Sequence, residues 1–224
     1  LKSQYPDMTD NLSTAKSPQQ MFGAVTKSYF AKKIGVPPEK IVCVSIMPCT
    51  AKKTELDIPN INDAAEGCKD VDYSLTTREM CRMLHADGID VAALPEQDFD
   101  SPLGTASGAG VIFGATGGVM EAALRTCSYV LNGKNPEPDA FRGVRGMDGW
   151  KEADFEMAPG VVVHTAVAHG LSNARKLIRA IRKGEVQYDF VEIMACPGGC
   201  AGGGGQPIHY NEEKAAERGQ ILYQ

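Results

Sequence analysis

Two cysteines stand four residues apart in the run Met194-Ala195-Cys196-Pro197-Gly198-Gly199-Cys200-Ala201-Gly202-Gly203-Gly204-Gly205-Gln206-Pro207. On a non-helical loop, two thiolates at that spacing can converge on one metal centre, and thiolate donors suit zinc and iron–sulfur centres above all. Six of the eight residues from 198 to 205 are glycine. Glycine lets a backbone turn through positive φ and bring its N–H groups against an anionic ligand, and a thiolate-held cluster is anionic. A flexible linker with two incidental cysteines is the plainer reading, but a linker would not follow an apolar strand so directly.

A third thiol, Cys49, lies in Ile46-Met47-Pro48-Cys49-Thr50-Ala51-Lys52-Lys53-Thr54-Glu55, with Lys52 placed to neutralise an anionic ligand. Both cysteine segments follow apolar runs that read as strands, and ligands in open α/β sheets sit at the carboxyl ends of strands. A shared centre is therefore expected. A further segment, Phe113-Gly114-Ala115-Thr116-Gly117-Gly118-Val119-Met120-Glu121, reads as strand, glycine turn and helix. Its helix N-terminus suits an anion, but the spacing is not the dinucleotide pattern. Helix packing and an anionic cofactor stay equally open there. Cys43, Cys81 and Cys127 are expected in the core, and Cys68 lies in a charged loop with no cysteine partner at metal spacing. His85, His164, His169 and His209 are scattered, which gives a zinc hydrolase no support.

The elements that must position these residues follow from local signals. Ser17, Pro18 and Gln20 read as a capping box opening a helix that runs to about Lys33 and stops at Gly35. Residues 41–46 read as a buried strand of a parallel sheet, 50–70 as a charged loop and 71–75 as a strand. Thr76 and Glu79 form a second capping box, for a helix closed by Gly88. A short apolar strand is expected at 111–113, then a helix to about Leu131, strands near 141–146, 150–157 and 160–168, an amphipathic helix at 171–183, a strand at 190–194 and a short helix near Asn211. Strands alternating with helices indicate an α/β fold with a largely parallel sheet. The helix at 171–183 carries Arg175, Lys176, Arg179, Arg182 and Lys183 on its outer face. Such a stripe is more often a solvated face than a docking site for an acidic electron carrier.

Composition bounds the function. The 224 residues are 43% hydrophobic and 23% charged, as in an ordinary globular chain of one large or two small domains. A net charge of -5 argues against nucleic-acid binding through a global field. No apolar run approaches the roughly 18 residues of a membrane span. Seven cysteines, an odd number without a signal peptide, point to a reducing compartment and a cytoplasmic location. The chain opens at Leu1 without a methionine, as expected of a processed or truncated product.

The segment 47–55 resembles the second signature of the iron-only (FeFe) hydrogenases, and 192–200 with 203–207 resembles the third. Ser13-Thr14-Ala15-Lys16-Ser17-Pro18-Gln19-Gln20 and the stretch from Phe113 to Arg125 are also similar to that family's catalytic domain. The resemblance runs from about residue 5 to the end. It implies a two-lobed catalytic domain with mostly parallel sheets flanked by helices. It also implies an H-cluster, in which a 4Fe–4S cubane is bridged by one cysteine to a two-iron unit with CO, CN and dithiolate ligands. On this resemblance Cys49, Cys196 and Cys200 are cluster ligands, Cys200 being the bridging one. Lys52 matches a lysine that hydrogen-bonds a cyanide. Met47, Met194 and Phe113 match residues packed about the two-iron unit, Gln19 a nearby polar residue and Ser13 a serine of the proton relay. The reaction implied is interconversion of hydrogen with protons and electrons. Its partners would be ferredoxin, another electron-carrier protein or a nicotinamide-linked subunit, together with maturation proteins.

The first cysteine signature of the family, with the fourth cubane ligand, has no counterpart in 1–224. The chain is thus expected to be a partial catalytic domain that cannot hold a normal H-cluster alone. Alternatives implied by the same resemblance are a hydrogen sensor and a hydrogenase-like iron–sulfur assembly protein that binds a cluster without turnover.

Overall fold

The computed structural model describes residues 3–105, 107–209 and 214–224. They divide into two compact units, Leu1–Ile46 with Ala51–Leu75, and Met47–Thr50 with Thr76–Gln224.

In the first unit, helix α1 (Pro18–Val25) continues through a π turn, Thr26–Phe30, into α2 (Ala31–Ile34). Gly35 ends it at φ 67°, the left-handed cap that glycine adopts without a Cβ penalty. Pro18 opens the helix as expected, but the Ser17 capping box does not form. The Ser17 hydroxyl donates instead to the carboxylate of Glu55, a charge-assisted bond that turns its oxygen toward that residue rather than onto the helix N–H groups. Strand β1 (Val44–Met47) pairs with β2 (Tyr73–Thr76) in a two-stranded sheet. The expectation of a buried strand fails here: Val44 and Ile46 are 51% and 49% exposed, because a two-stranded sheet leaves a face uncovered. Helix α3 (Ala51–Glu55) follows β1. The charged loop beyond it is tied down by buried Asp70, which accepts from Lys16 Nζ at 2.7 Å and from the Ala64 N–H at 2.9 Å. Buried Lys27 pairs with Asp72 at 2.9 Å.

In the second unit, helix α4 (Thr77–Ala86) carries the expected capping box. Thr76 Oγ1 accepts the Glu79 N–H at 3.1 Å, and Glu79 Oε2 accepts the Thr76 N–H at 2.8 Å. The strand expected at 111–113 is instead the end of a short helix, α5 (Gly108–Ile112). Among the described residues no strand pairs with this run, which satisfies its amides locally. Helix α6 (Gly118–Asn132) stops at left-handed Gly133. The strand expected at 141–146 is a 3-10 turn, Arg142–Val144. Two glycines, Gly143 and Gly146, weaken any ladder there, and Val144 serves as a core plug.

Strands β3 (Trp150–Ala158) and β4 (Val161–His169) form an antiparallel hairpin through Gly160. Helix α7 (Leu171–Arg182) crosses over to β5 (Phe190–Met194), which runs parallel to β4 from Thr165↔Phe190 to His169↔Met194. The sheet order is β3-β4-β5, so the α/β layering appears with a mixed sheet. The period of two along β4 divides its neighbours. Val167 packs with Met120 and Leu124 of α6 and with Phe141, Val144 and Met157, whereas Ala166 and Ala168 pack with Leu177 of α7. Helix α7 buries Ala174, Leu177, Ile178 and Ala180 and turns its basic residues outward. Helix α8 (Ala215–Ile221) closes the unit. Asn211, where a helix start was expected, lies outside the described residues. Among the described residues no helix is long and apolar enough to cross a membrane.

Candidate functional site

The second unit gathers all three cysteines of interest. Strand β5 delivers Met194 and then the loop bearing Cys196 and Cys200. That loop is folded on itself by hydrogen bonds from the Gly199 N–H to Cys196 O (3.1 Å) and from the Gly203 N–H to Cys200 O (2.9 Å). Two bonds fasten it to the turn after Phe113: Thr116 N–H to Gly198 O at 3.1 Å and Ala201 N–H to Gly114 O at 2.8 Å. One fastens it to the Cys49 segment, Gly205 N–H to Pro48 O at 3.0 Å. Arg78 locks the glycine run from outside, its N–H donating to Gly205 O at 3.0 Å and its guanidinium to Gly204 O at 2.9 Å.

The glycines are required where these backbones meet. A Cβ on Gly203 would run into the Pro48 carbonyl oxygen, and one on Gly205 would lie 2.6 Å from Cys49 N. Cys49, Cys196 and Cys200 are half-buried and none is in a disulfide. Met47, Phe113 and Met194 are half-buried on the same three segments. Among the described residues no three His, Cys, Asp or Glu side chains converge on a single metal ion. A multi-iron cluster does not need them to, since each thiolate binds a separate iron. Soft donors on backbone-locked loops, wrapped by glycine, fit such a cluster.

Gln19 and Lys52 come together in the first unit. The Gln19 amide donates to Lys52 O at 3.0 Å and to Glu55 Oε1 at 3.2 Å, and its oxygen accepts from Ser45 Oγ at 2.8 Å. The Lys52 ammonium pairs with Glu55, which Ser17 also binds. Burial pushes the Glu55 carboxyl up, but hydrogen bonds from Lys52 and Ser17 outweigh it and leave its pKa below the usual value. Glu55 was not singled out from sequence, although its i,i+3 spacing from Lys52 on a helix was a usable signal. Ser13 is exposed and accepts the Ala15 N–H at 3.2 Å.

Three other expectations are settled. The N-terminus of α6 holds the protein's own anion, because Glu192 Oε1 accepts the Gly117 N–H and Oε2 the Met120 N–H, each at 2.7 Å. Burial raises the Glu192 pKa, and those N–H bonds only partly offset the rise. Cys127 is exposed rather than in the core, since it lies on the solvent side of α6. Cys43 and Cys81 are half-buried, and burial followed by the Asp72 charge pushes the Cys43 thiol up.

Sequence reasoning also passed over His169. This residue is 7% exposed, with Nδ1 3.0 Å from the Gly198 N and Nε2 2.9 Å from the Met147 carbonyl oxygen. Nothing local marks it; only the β4–β5 register brings it beside Met194.

Residues 1–204 match the family model described as iron only hydrogenase large subunit, C-terminal domain. The chain is 50% identical over 221 residues to the NADP-reducing hydrogenase subunit HndD of Solidesulfovibrio fructosivorans, covering 98% of this chain and 37% of that one. It is 44% identical over 214 residues to the periplasmic Fe hydrogenase large subunit of Nitratidesulfovibrio vulgaris, covering 96% and 50%. Cytosolic iron-sulfur assembly component 3 of Pongo abelii is 35% identical over 199 residues, covering 88% and 42%. A solved structure of HydA(deltaEFG), described as revealing stepwise FeFe-hydrogenase H-cluster assembly, superposes with a TM-score of 0.80 at 40% identity, covering 99% of this chain and 62% of that one. The chain thus spans half or less of the length of these curated relatives. With these matches and the loop architecture in agreement, the chain belongs to the family formed by the C-terminal domain of iron-only hydrogenase large subunits.

Proposed function

We propose that residues 1–224 are part of the catalytic domain of an iron-only hydrogenase, which interconverts hydrogen with protons and electrons. One observation carries this reading: Cys49, Cys196 and Cys200 lie on two loops joined by the Gly205–Pro48 hydrogen bond, with glycine wherever a side chain would force them apart. These three thiolates would hold the cubane of an H-cluster, with Cys200 bridging to the two-iron unit. When bound, that group supplies the redox chemistry on hydrogen. Met47, Phe113 and Met194 would form a dry wall that excludes water and tunes the local field. Lys52, its ammonium held by Glu55, retains further N–H donors for an anionic ligand, and Gln19 fixes the Lys52 backbone. Ser13, exposed, would pass protons from solvent.

Electron-carrier proteins such as ferredoxin, or a nicotinamide-linked subunit, are the partners this activity needs, and maturation proteins would install the iron groups. The cytoplasm is the compartment we assign. The similarity to iron–sulfur assembly components supports a second reading, a cluster-binding protein without turnover. Infrared spectroscopy of the full-length gene product, expressed with maturation proteins, separates the two. Bands of iron-bound carbonyl and cyanide are expected for a hydrogenase. A normal 4Fe–4S signal without those bands would place the protein in the assembly class.

A further inference from the structure

We propose that His169 is a positioning residue for the cysteine loop, a role that rests on the cluster reading above only in its second consequence. The chemistry of its two partners sets its state. A carbonyl oxygen can only accept, so Nε2 must carry the proton donated to Met147 O. A backbone N–H can only donate, so Nδ1 must be the bare acceptor for Gly198. The imidazole is therefore neutral, in the Nε2–H form, and buried.

Its target is the residue midway between Cys196 and Cys200. Gly198 has φ 76°, and both of its backbone polar groups are used, the N–H by His169 and the carbonyl by the Thr116 N–H. The peptide between the two thiolates is thus held from the end of β4 on one side and from the 114–117 turn on the other. Because His169 takes the Gly198 N–H, that donor is not offered to a ligand bound by those thiolates. Met147 contributes twice, through its carbonyl to the imidazole and through its Cε, 3.0 Å from where a Gly198 Cβ would lie. His169 thereby fixes both the spacing of two ligands and the number of N–H donors they see.

The test compares His169→Asn, whose side-chain oxygen can stand near Nδ1, with His169→Leu, which has no acceptor. In the metal-free wild type, nitrogen NMR should report the Nε2–H form and a coupling between His169 Nδ1 and the Gly198 nitrogen across the hydrogen bond. The Nδ1–H form, or no coupling, would overturn the proposal without any variant. Exchange of the Gly198 amide should speed up about ten-fold in His169→Leu and much less in His169→Asn, as loss of one hydrogen bond implies. Equal effects of the two variants, or none, would contradict it. After reconstitution of the full-length protein with ferrous iron and sulfide, release of iron to a chelator should follow the same order. If the wild type itself takes up no iron, the cluster reading fails, and the exchange comparison still decides the role of His169.

Discussion

The carboxylate of Glu192 on β5 caps helix α6 through Met120: Oε2 accepts the Met120 N–H at 2.7 Å while Oε1 accepts that of Gly117. A strand residue two positions before Met194 therefore sets the start of the helix that follows the Phe113 turn. The positive end of the helix dipole, which suits any anion, is satisfied from within the protein. Substituting Glu192→Gln leaves one acceptor for two N–H donors and should cost about 1–3 kcal/mol. The pH dependence follows from the direction of its shift. Because the folded-state pKa is raised, Glu192 stabilises the fold fully below its ordinary value of 4.5, and that contribution is lost as pH rises through the folded value. Urea melts of wild type and Glu192→Gln across that interval should show the difference between them shrinking with rising pH. A difference that grows would contradict the assignment.

Glu121 carries the opposite sign. It is 1% exposed and pairs with Arg145 at 2.7 Å and Arg125 at 2.9 Å. Burial alone would raise its pKa, but hydrogen bonds from Arg145 and Arg125 outweigh it and leave the value lowered. Its stabilisation is present above 4.5 and lost as pH falls through the folded value. Glu121→Gln is expected to cost about 1–3 kcal/mol at neutral pH, since it removes the buried carboxylate charge that Arg125 and Arg145 share while both keep other acceptors. The cost should fade in acid melts below the ordinary carboxylate range, and a constant cost down to low pH would contradict this account.

The glycine run makes a positional prediction. Gly203→Ala should destabilise the loop by about 1–3 kcal/mol, because its methyl meets the Pro48 carbonyl, and should reduce iron uptake. Gly204→Ala is the control, with Thr50 Oγ1 at 3.9 Å as its nearest neighbour. Thermal melts and iron content should separate the two variants. Equal behaviour would mean that the glycines serve flexibility rather than close approach.

The thiols should also differ in reactivity. Exposed Cys127 should be alkylated first among the cysteines that are not proposed ligands, and Cys43 slowly, since burial and Asp72 keep it protonated. Mass spectrometry of the metal-free chain under limiting reagent checks this. Faster modification of Cys43 than of Cys127 would contradict the placement.

What could be read from sequence was local. The stop at Gly35, the Thr76–Glu79 box, the amphipathic α7 and the apolar run of β5 each carry their own signal within a few residues. The two cysteine-bearing segments, which the structure joins through Gly205 and Pro48, could be singled out because their spacing and glycine context are local too. What failed depended on neighbours. Residues 111–113 are apolar enough for a strand, but among the described residues no strand pairs with them, and 141–146 lies against β3 as a 3-10 turn without joining its ladder. The Ser17 cap lost to a carboxylate 38 residues away. The Glu192 cap and the His169 bond arise only once β4, β5 and α6 are packed, so no window of sequence displays them.

Hydrogen turnover in a cysteine variant reaches the central claim most directly. The full-length gene product, expressed with maturation proteins, should evolve hydrogen from a reduced electron carrier, and Cys200→Ser should abolish that activity while leaving the fold intact by circular dichroism. Undiminished hydrogen evolution in Cys200→Ser would contradict the account.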